Sequence, residues 1–201
     1  MTLRETFRRI STDIEAMRVH RNIRRSFAGT LFILFNPSIV AIALYRISRY
    51  FYVKKVRSLA WLISEFQIYI TGTEILPSAD IGESFVIIHP VGVCISGKIG
   101  KNCIVTAQVG IGGSLRQGDV GAGNGLPVIG DNVWVGVGSK VLGPIRVGDG
   151  VLIGAMSLVL HDVPDGATVQ GIPARVTKIR EDTRAFWNIG MAPNSPETSK
   201  D

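Results

Sequence analysis

Three side chains in this sequence are the natural candidates for moving a proton near neutral pH: His20, His89 and His161. Histidine is the side chain whose ordinary titration falls between pH 5 and 8. His20 sits among arginines and His161 in the turn Leu160-His-Asp-Val-Pro-Asp-Gly166, where surface roles suffice for both. His89 stands apart, in Ile88-His-Pro-Val-Gly92. Taken alone, it reads as a solvated or structurally bonded imidazole. The only cysteines, Cys94 and Cys103, lack any zinc-ligand spacing, so no metal is expected. Without a recognisable secretory signal, both read as buried thiols in a reducing cytoplasm.

The element that positions His89 is a repeat. Branched aliphatics occupy every sixth place at Ile75, Ile81, Ile87, Val93, Ile99, Val105 and Ile111, and again at Ile129, Val135, Val141, Val147, Ile153 and Val159. Glycine often follows, at 82, 100, 112, 130, 136, 148 and 154. Six residues make a short strand and a turn with the aliphatic inward, and three such units close one coil of a left-handed parallel β-helix, the expected fold. Each coil packs only on its neighbours, so chemistry must sit on the flanks of a rigid column. His89, third in its unit, points outward. The gap from Ile111 to Ile129 is three whole periods, so the Gly-rich segment Ser114–Leu126 leaves the column without changing its register. The expected organisation is a helical segment over 1–73, the β-helix over 74–164 with an extended loop at 114–127, and a C-terminal segment and tail over 165–201, fraying after Arg184.

The first region is basic. Residues 1–58 carry twelve Lys/Arg against three Asp/Glu, while the whole chain is only +6. No nucleic-acid-binding pattern accompanies this charge, and an anionic membrane surface fits it better. Leu3, Phe7, Ile10, Ile14 and Met17 form one stripe of an amphipathic helix, with Asp13 and Arg18 off it. From Phe27 to Tyr45 no charge occurs, a length that raises a transmembrane helix, but Asn36-Pro37 reads as an N-cap with proline at the first helical position and divides the run. Packing within the protein leads over a helix lying on the membrane, and that over a span. Helix is also expected through Ile39–Tyr52 and Leu59–Ile70, with a stop at Thr71-Gly72.

Together the repeats, Ile88-His-Pro-Val-Gly92, Gly112-Gly113 before the loop, Val135-Gly-Val-Gly-Ser-Lys-Val-Leu-Gly143 and Gly171-Ile-Pro-Ala-Arg175 resemble the serine acetyltransferase family over roughly residues 34–180. The resemblance implies an acyltransferase using acetyl-CoA, assembled as a homotrimer with sites between columns. His89 would be its catalytic base. CoA contacts would fall at Gly113, Val137 with Gly138 and Ser139, and Ala155, with Arg175 and Lys178 facing the CoA phosphates. The carboxylates and loop histidine that the family uses to hold serine are missing: the matching positions are Arg21, Ile88 and Leu126. That pattern resembles the colanic-acid and capsular-polysaccharide branch. The expected function is therefore a sugar O-acetyltransferase of surface-polysaccharide biosynthesis, with a small or lipid-linked sugar as acceptor, in the cytoplasm or on the inner membrane face, with serine O-acetylation as the alternative.

Overall fold

The computed structural model describes residues 1–180; the C-terminal tail expected to fray lies outside the described residues. Four helices precede the strands: α1 (Leu3–His20), α2 (Phe27–Leu34), α3 (Pro37–Val53) and α4 (Arg57–Thr71). Three of the four helix starts and the end of α4 have a local cause. Thr2 and Ser26 cap α1 and α2 by accepting from Glu5 N and Gly29 N. Asn36 caps α3 by accepting from Ser38 N, with Pro37 opening the helix as expected, and α2 and α3 meet at a bend of 64°. Gly72, at φ 65°, ends α4 in the left-handed conformation. Among the described residues no single helix is long and apolar enough to cross a membrane.

Fifteen short strands follow. Those at Glu74–Ile75 (β1), Cys94–Ile95 (β4), Gly110–Gly112 (β7), Lys140–Leu142 (β10) and Leu158–Val159 (β13) form one parallel sheet. Asp80–Ile81 (β2), Lys98–Ile99 (β5), Val128–Ile129 (β8) and Arg146–Val147 (β11) form a second. The third holds Val86–Ile87 (β3), Ile104–Val105 (β6), Trp134–Val135 (β9), Leu152–Ile153 (β12) and Ala167–Gly171 (β14), closed by the antiparallel strand Ala174–Ile179 (β15). Successive strands thus belong to different sheets, and each pairs with its counterpart one coil away, which makes the column a β-helix. The inward aliphatics of the hexapeptides are no more than 2% exposed, Ile75 to Val159 inclusive, but in β4 the residue that pairs with Ile75 and Ile111 is Ile95 and not the expected Val93, because two extra residues at the preceding corner shift the strand. Ile99 pairs with Ile129 across the loop in ordinary register, so the loop is an excursion from an unbroken column.

One corner of the column carries a ladder of carboxylates. Lys101 N donates to Asp131 Oδ1 at 2.7 Å, Asp131 N to Asp149 Oδ1 at 2.7 Å, and Asp149 N to Asp165 Oδ1 at 2.9 Å. Gly100, Gly130 and Gly148 precede the ladder positions because a Cβ there would collide with the aspartate of the next coil. Glycine is required at this corner by close approach.

The helices close the open end of the column. Backbone groups of the first coil have no preceding coil to pair with, and side chains take their place. Ser64 Oγ donates to Ile75 O, Arg49 to Pro77 O and Ser78 O, and Tyr45 Oη to Ala79 O while it accepts from Ile81 N. Arg46 donates to Ile81 O and Gly82 O, and Asp13 Oδ1 accepts from Phe85 N at 2.9 Å. Asp13 and Arg46 are paired to each other, Nε to Oδ2 at 2.9 Å, with both side chains 1% exposed. Burial pushes the Asp13 carboxyl up, with Arg46 pulling it back only in part. Burial also opposes the Arg46 charge, but Asp13 and Tyr45 outweigh it and hold the guanidinium above its ordinary value.

This closure corrects two expectations. The buried face of α1 is Thr6, Asp13, Ala16, Met17 and Arg18, whereas Leu3 and Phe7 of the apolar stripe are exposed. Asp13 turns inward because it satisfies the sheet end, while Thr6 bonds back to Thr2 O and Arg18 to Arg24 O beside the helix termini. Cys103 is buried, but Cys94 is exposed, its Sγ facing Glu74 on the paired strand β1.

Candidate functional site

His89 lies two residues beyond the inward Ile87 of β3, at the corner where the chain leaves the third sheet. Counting two places past the paired aliphatics Ile87, Val105, Val135 and Ile153 sets His89 beside Ala107, Val137 and Ala155, but the corner after β3 holds two more residues than the corner after β6, and its backbone bonds set Val91 level with Ala107. The corner is stitched by backbone bonds: Gln108 N to Val91 O at 3.1 Å, Gly138 N to Ala107 O at 2.9 Å and Met156 N to Val137 O at 2.8 Å. His89, Val137 and Ala155 are exposed. A ledge of Val91, Ala107, Val137 and Ala155 therefore runs down the column at about 4.8 Å per coil, or roughly 14 Å in all, with the exposed imidazole of His89 in the wider corner at its head.

The remaining expected residues fall in three places. Gly138, at φ 73°, belongs to the ledge's turn. Ser139 is fully buried, its hydroxyl donating to Gly154 O at 2.7 Å and accepting from Ser157 N at 3.2 Å, so its polar atoms are used within the coil. Arg175 and Lys178 are exposed on β15, the last strand of the sheet whose end forms the ledge. Gly113 is not brought to His89: it follows β7 at the next corner, level with Gly97, Gly143 and His161, where the loop departs. The loop folds on itself through Asp119, which accepts from Gly121 N and Gly123 N, and Asn124, which accepts from Gly118 N, and Arg116 ties it to Leu160 O. Leu115 stands fully exposed at its edge.

A cleft beside His89 is lined by His20, Arg21, Ile23, Phe32 and Ile88. The C-terminal end of α1 supplies the first two. Arg21 Nη2 donates to Ile88 O, the residue before His89, at 2.9 Å. His20 packs against Trp134 with ring centroids 6.1 Å apart and is half-buried. Burial, and secondarily the charge of Arg21, hold its imidazole below the ordinary value, so it is neutral at pH 7. His20 was expected at the surface; its place next to Arg21, already matched to an acceptor-binding position, was the signal that it belongs to the cleft. Among the described residues no cluster of His, Cys, Asp and Glu could hold a metal ion.

The chain matches the family model "Bacterial transferase hexapeptide (six repeats)" over residues 127–161. It is 40% identical to serine acetyltransferase of Bacillus subtilis (strain 168) over 183 residues, which cover 88% of this chain and 82% of that one. Among solved structures it is similar to serine acetyltransferase of Neisseria gonorrhoeae, with TM-score 0.78 and 28% identity over 90% of this chain and 71% of that one. It is similar also to a serine acetyltransferase in complex with CoA, with TM-score 0.75 and 28% identity over 87% and 70%. These relatives overturn the expectation of a sugar acceptor and a role in polysaccharide biosynthesis. The missing carboxylates and loop histidine misled, because an acceptor pocket can be rebuilt from other elements; at the first of those positions the structure puts a guanidinium against the backbone of the residue preceding His89.

Proposed function

This chain belongs to the serine acetyltransferase family of hexapeptide-repeat transferases, and we propose that it transfers the acetyl group of acetyl-CoA to the hydroxyl of L-serine. One placement carries the reading: an exposed histidine at the head of a ledge of small residues, with a cationic cleft beside it. The pantetheine arm lies along Ala107, Val137 and Ala155, where small side chains admit its amides, and Gly138 shapes the turn that holds them. Arg175 and Lys178 face the phosphates at the far end. Gly113 reaches the CoA of a neighbouring column in a homotrimer of left-handed β-helices.

His89 takes the proton of the serine hydroxyl as its oxygen attacks the thioester carbonyl. The tetrahedral intermediate collapses by breaking the carbon–sulfur bond, and the CoA thiolate leaves with the proton returned by the imidazolium. Arg21 uses guanidinium N–H groups not engaged by Ile88 O to receive the serine carboxylate. No carboxylate lines the cleft among the described residues, so the α-ammonium stays hydrated at its open side.

The test is CoA release from acetyl-CoA by the purified protein, read with a thiol reagent, with and without L-serine. Turnover well above the acceptor-free rate is expected, falling by about 10² or more in His89→Ala. A rate that L-serine does not raise refutes the substrate, and an unchanged His89→Ala rate refutes the base.

A further inference from the structure

The acyl-transfer reading leaves α2 unexplained. Of its eight residues only Ile33 is buried, and Phe27 (86% exposed), Leu31, Phe32 and Leu34 with the adjoining Phe35 (76%) stand in the open. A groove lined by Ala28, Leu31, Phe32, Phe35, Asn36 and Pro37 runs along it. An eight-residue helix that faces solvent with this composition has no reason to persist in water unless something apolar covers it. The charge around it names the cover. From Ala16 to Ser64 there is no Asp or Glu, while nine Lys/Arg occur, with exposed Arg24 and Arg25 directly before the N-cap of α2; Glu15 of α1, just outside that run, pairs with Arg25 at the surface. A second copy of the same patch would bring Arg24 and Arg25 against themselves in a two-fold contact, whereas an anionic surface neutralises them. The 64° bend between α2 and α3 suits a helix that lies in the interface and does not cross it.

We propose that α2, with Arg24 and Arg25, is a docking element for an anionic lipid bilayer. The phenylalanines enter the boundary between headgroups and acyl chains, the arginines meet lipid phosphates, and each such cation near the surface adds roughly fivefold to binding. Phe32 lines both the groove and the His89 cleft, so docking holds the acceptor cleft beside the membrane.

The full chain is floated with vesicles of phosphatidylcholine alone and of phosphatidylcholine mixed with phosphatidylglycerol, at low and at physiological salt. Binding at least about tenfold stronger to the anionic vesicles is expected, weakened by salt. It should fall at least tenfold again in Phe27→Ser/Phe35→Ser, a pair outside the cleft, with helix content and CoA release unchanged. No flotation, or equal binding to both vesicles, overturns the proposal. So does sedimentation in which the double substitution dissolves a self-association that vesicles do not compete for, because the patch would then belong to a second copy.

Discussion

Asp13→Ala tests how the helices hold the acceptor cleft. The change removes both carboxylate oxygens from a pair that is 1% exposed on either side. It leaves the Arg46 charge uncompensated and takes the acceptor from Phe85 N. Breaking a buried pair from one side costs about 3–5 kcal/mol. At a urea slope of about 2 kcal/mol per M, a loss of about 4 kcal/mol lowers the unfolding midpoint by about 2 M. Asp13→Asn retains an oxygen for Phe85 N and should lose less, as should Asp13→Leu/Arg46→Met, which removes both charges at once. Arg21 and His20 stand at the far end of the same helix, so the Michaelis constant for L-serine should rise in Asp13→Ala under conditions where the variant is still folded. Urea unfolding at fixed protein concentration, followed by circular dichroism, gives the first number and initial rates of CoA release the second. A loss under about 1 kcal/mol would refute the view that this pair anchors α1 to the column.

Three further outcomes follow from the cleft and the thiols. Arg21→Ala should raise the Michaelis constant for L-serine by about tenfold or more, from the loss of a charge-assisted hydrogen bond, and leave that for L-serinamide nearly unchanged; equal effects on both would remove the carboxylate role. Because the His20 imidazole is held below its ordinary value of 6.5, its contribution to stability is whole above that pH and erodes as the pH falls through the folded midpoint. The acid-side loss should shrink in His20→Gln, measured as urea midpoints from pH 7 to 5. Cys94 is exposed but pushed up to about 11, by burial of its sulfur and by Glu74, and Cys103 up to about 12 by burial, so a thiol reagent at pH 8 should label Cys94 about a hundredfold more slowly than an ordinary thiol and Cys103 only on unfolding. Glu74→Gln should speed Cys94; equal labelling of wild type and variant would deny the carboxylate's part.

What could be read from the residues was whatever repeats at short range. Ile87, Val105, Val135 and Ile153 recur at multiples of six in the sequence, and the outward position of His89 follows from counting two places on, whereas the two extra residues that make Val91 the neighbour of Ala107 show only in the backbone bonds. The buried face of α1 could not be read this way, because Asp13 is buried to serve the end of a sheet formed some seventy residues later, as the Asp13–Phe85 bond shows. His20 meets Trp134 through the same long-range packing. The acceptor was misread for a related reason: the absence of acidic side chains at matched positions was legible, while the guanidinium that folding brings to Ile88 was not. The aspartate ladder was written as Gly-Asp at 130–131 and 148–149, but its meaning is a contact between coils.

The polar closure of the first coil has a consequence for how this molecule behaves in company. A stack of strands that ended bare would be a template on which any extended chain, including the unfinished column of another copy, could add itself. Here the exposed row of carbonyls and amides is already answered by Ser64, Arg49, Tyr45, Arg46 and Asp13. At the other end β15 runs antiparallel and carries Arg175 and Lys178 outward. Growth by strand addition is blocked at the first coil and discouraged by charge at the last.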